Sequence, residues 1–306
     1  MINDDLANDK PKGKTKFAEY LIVQNVITSV CTVPTLLFAR EKPPTPPSSA
    51  ASRPPQDAKF RENLKLLKSN KSYLLLCVSF TMLYGVYTSL GAVVAAITGP
   101  FGYEGIDNAV FGGVFIFCGV AGSFVLGIVL DKTQKFKLMI NCTALCAVGF
   151  ILLGLVTLPS GKGWLFSLNL AFIGFSVIPI IPISYGFAVE LTFPVPEAVS
   201  NGMMILPSQI FGAIMGFVAG IICSSTENLP EPENQWGPKY TIILFASSAL
   251  VGAICSLFIV EDLRRLRPQG TEGGPAVTQD SEIIEERSNS LPKTKGIEGD
   301  PQASTF

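Results

Sequence analysis

The chain is 306 residues long, 48% apolar and only 15% charged, with a mean hydropathy of +0.42. That is more apolar than a soluble domain of this length usually is, and a formal net charge of −1 excludes the basic surface that nucleic acid would need. The seven cysteines all fall inside apolar runs without a CxxC pair, and the chain has no histidine, so they read as small hydrophobes rather than disulfides or metal ligands.

Residues 1–16 form a polar segment, with no apolar core ahead of a small-residue cleavage site, so they do not read as a cleaved secretory signal. Apolar runs follow at 17–39, 73–98, 108–130, 137–158, 164–189, 202–224 and 239–260. Each is long enough to cross a hydrocarbon core about 30 Å thick, which takes roughly 20 residues of helix. They contain almost no Asp, Glu, Lys or Arg and lack the polar face of a soluble helix. The expected fold class is an all-α membrane protein with about seven transmembrane helices. Between the first and second runs, 40–72 is a basic linker whose 41–58 stretch is rich in Pro and Ser and cannot form a helix or a sheet interior. At its end Phe60, Leu64 and Leu67 share a helical face while Lys59, Arg61, Lys65 and Lys68 occupy the others. That pattern suits a short helix on anionic lipid headgroups, and an ordinary solvated helix equally well. The tail 261–306 is polar and expected to be disordered.

The basic residues give an orientation, because cytoplasmic loops carry the excess of Lys and Arg. Arg40, Lys42, Arg53, Lys59, Arg61, Lys65, Lys68 and Lys71 fall in the linker, Lys132, Lys135 and Lys137 in the loop after the third run, and Arg264, Arg265 and Arg267 at the start of the tail. Parity through the spans puts all three on one side, so 40–72 and 261–306 are expected in the cytoplasm, in a plasma or organelle membrane. The N-terminal Lys10, Lys12, Lys14 and Lys16 then fall on the opposite side, against the rule.

Polar groups in mid-span are costly and mark function. Tyr84, Tyr87, Asn141, Asn169 and Gln209 are the candidates. Asn141 and Asn169 lie near span ends and read as interhelical hydrogen-bonding residues. Tyr87 and Gln209 approach the midplane and read as substrate-binding residues. A tyrosine face attracts a quaternary ammonium, and a Gln amide can orient its polar end. The alternative for Tyr87 is a buried tyrosine hydrogen-bonded to a neighbouring helix. Pro207, two residues before Gln209, is expected to loosen its helix. Pro179 and Pro182 are expected to kink the fifth span. Gly212, Gly216 and Gly220, and likewise Gly119, Ser123 and Gly127, form small-residue stripes that allow close helix approach. Glu190, Glu197, Pro194 and Pro196 mark the loop between the fifth and sixth spans, with Ser200 or Asn201 as helix cap. No Asp or Glu lies in mid-span, so uncoupled transport is expected, with no cofactor, no metal and no enzymatic chemistry.

One helix, a basic linker and six further helices resemble the centre of the major facilitator superfamily, in which two six-helix bundles are joined by a long cytoplasmic loop. GIVLDKTQKFK at 127–137 is similar to its short-loop signature, which implies close packing at Gly127, Asp131 after the helix end, and Lys132, Lys135 and Lys137 as basic partners. FAREKPPTPPS at 38–48, VYTSL around Tyr87 and FAVELTFPVPEAVSNGMMILPSQIFG at 187–212 resemble the feline leukaemia virus subgroup C receptor family of choline, ethanolamine and haem-related transporters. That resemblance implies contact of Tyr87 and Gln209 with choline or ethanolamine and five helices before residue 1, so that a missing N-terminal half or a second chain would supply the other wall; the loop marked by Glu190 reads, apart from the resemblance, as part of an inner gate or as a tight turn. Val94 and Ala95 stand where relatives commonly have polar amides. A small amine is favoured over haem, since only Tyr, Cys or Met could hold the iron. Competing expectations are a seven-helix receptor, against which the Pro-rich linker argues, and a non-transporting half that modulates a full-length relative.

Overall fold

The computed structural model describes residues 10–38 and 60–261, and these fall within one compact unit. The helices are α1 (Lys10–Phe38), α2 (Phe60–Ser69), α3 (Lys71–Thr98), α4 (Gly105–Thr133), α5 (Phe136–Thr157), α6 (Gly163–Val177), α7 (Ile180–Thr192), α8 (Glu197–Glu227) and α9 (Trp236–Leu257). No strand occurs among the described residues. The Pro-rich linker 41–58 and the tail after Glu261 lie outside them, as does the first part of the polar segment.

Six membrane-crossing units are long and apolar enough to span a bilayer: α3, α4, α5, the α6–α7 pair, α8 and α9. The sequence suggested seven. The first run does become a helix, beginning at Lys10 rather than at residue 17, but α1 is not among the six. It carries Glu19, Gln24 and Asn25 and contains Pro34, and its described side chains are all exposed. Large apolar side chains also face outward from the spans, Phe117, Phe124 and Phe217 each more than 70% exposed. Lipid is the solvent that makes such a surface stable.

Local chemistry sets the helix ends. The Asn70 side chain caps α3 by accepting from the Tyr73 N–H at 3.1 Å. Asp107 accepts from the Glu104 N–H at 3.0 Å in a capping box that opens α4. That helix ends where Gln134 turns left-handed, φ 53°. Asp131 therefore lies inside the last turn of α4, not after it, and is exposed with Lys132 and Lys135. The fifth span breaks at Ile178–Pro179, because neither Pro179 nor Pro182 has an N–H to continue the ladder. By contrast Pro207 does not interrupt α8, which stays helical through it. Ser200 and Asn201 lie within α8 rather than at its start, where Pro196 is the capping position. Glu190 belongs to the final turns of α7, not to the loop, and is buried.

Packing follows small residues. α3 packs chiefly on α8 and then on α9, α4 on α6, and α5 on α9 and α6. At the α3–α8 crossing a Cβ on Gly212 would strike Thr88 Oγ1 and lie 3.4 Å from the Gly85 Cα. Ser89 Oγ bridges the same crossing, donating to the Gly212 carbonyl at 2.8 Å. At the α4–α6 crossing a Cβ on Gly174 would strike the Phe115 carbonyl oxygen. The stripes are only partly used. Nothing lies within 4 Å of a Cβ built on Gly127 or Gly220, so the close packing expected at Gly127 is absent.

Two hydrogen bonds tie the basic end of the bundle. Tyr73 Oη donates to the Ser200 carbonyl at 2.6 Å, and Asn70 Nδ2 donates to the Leu191 carbonyl at 2.8 Å. At the opposite end Tyr103 packs edge-on against Phe111 and stacks on Phe166. Burial raises the pKa of its phenol, and the neighbouring Asp107 carboxylate adds to the shift.

Asn169 departs from its expected role as an interhelical hydrogen bonder. It is 2% exposed where α3, α5 and α9 meet, and neither atom of its amide has a hydrogen-bond partner. An unpaired buried polar group costs about 1–3 kcal/mol. We expect Asn169→Leu to stabilise the protein by about that amount. A lowered melting temperature in detergent would contradict this.

Candidate functional site

Five aromatic rings form a continuous face on α3 and its neighbours. Tyr185 of α7 lies 5.5 Å from Phe80 between ring centroids, Phe80 stacks on Tyr84 at 5.2 Å, Tyr84 meets Tyr87 at 5.6 Å, and Tyr87 stacks on Phe115 of α4 at 6.0 Å. Phe80 is fully buried and serves as the base, while the three tyrosines are half-buried. Tyr185 is placed there by the break at Pro179, which redirects the second half of its span.

Gln209 joins this face from α8. Its Nε2 donates to Tyr84 Oη at 3.4 Å, a long hydrogen bond, and the side chain is exposed. The two residues singled out from sequence are therefore not brought together directly. Gln209 meets Tyr84, while Tyr87 lies one turn further along α3. Tyr87 instead lines an apolar cavity of about 350 Å³ with Leu90, Val94, Phe111, Phe115 and Leu170. The order Tyr84–Gly85–Val86–Tyr87 carries a sequence signal for this pairing: Tyr84 lies one helical turn before Tyr87, and Gly85 beside it admits α8.

The remaining candidates are dispersed. Glu190 is buried in α7, next to Leu191, whose carbonyl binds Asn70. Gly127, Asp131, Lys132, Lys135 and Lys137 cluster around the turn between α4 and α5, which shares the basic end of the bundle. What the arrangement offers chemically is binding rather than bond making: π faces, phenolic oxygens and one amide, open on one side.

A family model described as Major Facilitator Superfamily matches residues 20–198. The chain belongs to that superfamily. It is an integral, multi-pass membrane protein. Among curated relatives it is 28% identical to the choline/ethanolamine transporter flvcr2a of Danio rerio over 90% of its own length and 58% of the relative's. It is 27% identical to choline/ethanolamine transporter FLVCR2 of Homo sapiens over 80% of its own length and 46% of that protein's. Solute carrier family 49 member A3 of Xenopus tropicalis matches at 31% over 61% of this chain and 39% of the relative. The chain thus spans about half the length of the curated relatives it matches.

Proposed function

We propose that this major facilitator chain supplies one wall of an alternating-access carrier for a small organic amine such as choline or ethanolamine. The observation that carries this reading is the Tyr84–Gln209 pair set in the run of aromatic rings on the open side of α3 and α8. A quaternary ammonium is attracted to a tyrosine face by its quadrupole, by about 2 kcal/mol or more once desolvated. The long Gln209–Tyr84 hydrogen bond gives way at little cost, freeing the amide to receive a hydroxyl or amine of the ligand. The names of the relatives support the same substrate class.

The other wall would come from a segment preceding this one or from a second chain. Gly85, Gly212 and Gly174 bring helices close enough to slide in the rocking that alternating access needs. The Tyr73–Ser200 and Asn70–Leu191 hydrogen bonds hold the basic end together, and with Glu190 nearby that end serves as the inner gate. Among the described residues no acidic side chain lies on the aromatic face, so this wall supplies no carboxylate for ion coupling. Uptake of labelled choline and ethanolamine into vesicles tests the reading, with the chain alone and with a version joined to the N-terminal half of a relative. Uptake by either supports it, and none by both would sink it.

A further inference from the structure

Beyond Tyr84 and Gln209, α3 and α8 run on toward the end of the bundle opposite the basic loops, where Glu104, Asp107, Glu227, Glu231 and Glu233 lie. Followed from Tyr84 at helical spacing, α3 presents Thr88, Gly91, Ala95 and Gly99. From Gln209, α8 presents Ala213, Gly216, Gly220, Ser224 and Glu227. Both stripes end at a cavity of about 410 Å³ lined by Ala95, Gly99, Gly220, Ser224, Glu227 and Asn234. Small-molecule pockets run from roughly 300 to 1,000 Å³. At 1.5 Å rise per residue, Glu227 stands roughly 27 Å along α8 from Gln209, so this cavity is separate from the aromatic face though the same two helices help to form both.

Its chemistry is that of a cation site. Glu227 contributes an exposed carboxylate. Ser224 Oγ donates its hydrogen to the Ile221 carbonyl at 3.1 Å, which leaves its lone pairs as acceptors. Asn234 Oδ1 is buried and has no hydrogen-bond partner, an acceptor that a ligand's N–H or hydroxyl could satisfy. The C-termini of α3 and α8 both end here, and each carries partial negative charge. Glu231 and Glu233 follow on the adjoining loop. Among the described residues the nearest lysine in sequence, Lys239, holds its ammonium over the Trp236 ring at 5.2 Å. The remaining wall is Ala and Gly, which leaves room for a compact head group.

We infer that this cavity is a second, outer binding site for an organic ammonium ion, with Glu227 as countercharge and Ser224 and Asn234 as oxygen acceptors. The inference rests on the amine reading above, and the two can be separated by direct binding. Labelled choline is bound to the purified full chain in nanodiscs of zwitterionic lipid at low and high salt. Glu227→Gln is expected to weaken binding about fivefold to tenfold at low salt and to flatten the salt dependence, since an exposed charge is screened. Glu227→Asp keeps most of the affinity, and an unchanged melting temperature separates the effect from misfolding. Wild-type affinity and salt slope in Glu227→Gln, with binding lost in Tyr84→Ala, would overturn the outer site alone. Loss in Glu227→Gln with Tyr84→Ala unchanged would support the outer site and overturn the central one. No binding at either salt by the wild-type chain, alone or joined to the N-terminal half of a relative, would overturn both.

Discussion

Replacing Gly174 by valine is expected to cost about 3 kcal/mol or more and to lower the melting temperature sharply. A Cβ at this position would enter the Phe115 carbonyl oxygen, and a backbone atom in the middle of α4 cannot rotate aside as a side chain can. Relief requires α4 and α6 to separate, which opens the largest interface that α4 makes. Overpacking of this kind typically costs 1–3 kcal/mol, about, and more when the backbone must move. Against a total stability of about 5–15 kcal/mol that loss is large. Gly127→Ala is the control, because open space surrounds its added methyl group, and a change within about 0.5 kcal/mol is expected there. Melting temperature and elution from size exclusion in detergent report both. A Gly174→Val protein as stable as wild type would show that the α4–α6 crossing yields to an added side chain.

In a form of the protein that transports, Tyr84→Ala should reduce choline uptake about thirtyfold, which corresponds to the ~2 kcal/mol of a desolvated cation–π contact. Gln209→Ala should act in the same direction and less than additively with it, because the two side chains are hydrogen-bonded and act as one unit. Tyr84→Phe keeps the π face and loses only the hydroxyl, so most transport of a quaternary ammonium should remain. Tyr87→Ala should have the smaller effect of the two tyrosines. Its ring stacks on Phe115 beside an apolar cavity, whereas the Gln209 amide bonds Tyr84. Should Tyr87→Ala abolish uptake while Tyr84→Ala leaves it intact, the site would have to be moved one turn along α3. Equal uptake in all four variants would remove the aromatic face from the mechanism.

The contrast between Tyr84 and Tyr87 shows where sequence reading stops. Both lie near mid-span, and neither composition nor spacing says which way a residue points when a membrane helix lacks a polar face. Helix α8 decided it, and α8 can approach only because Gly85 and Gly212 have no side chains at the crossing. Asn169 teaches the same lesson from the other direction. Its position suggested a hydrogen-bonded link between helices, yet the three helices that meet there bring only apolar groups to it.

The sequence by itself determined the class of protein, the approximate limits of six spans, the break at Pro179 and the gathering of basic loops at one end. These are properties of single segments and follow from hydropathy, from proline's missing N–H and from the sign of the loop charges. Tertiary structure alone decided which glycines are contacts and which are bare surface, that α1 stands with its described side chains exposed, and that Gln209 meets Tyr84. Those depend on the relative rotation of packed helices, and in a segment that is apolar all round no periodicity records that rotation.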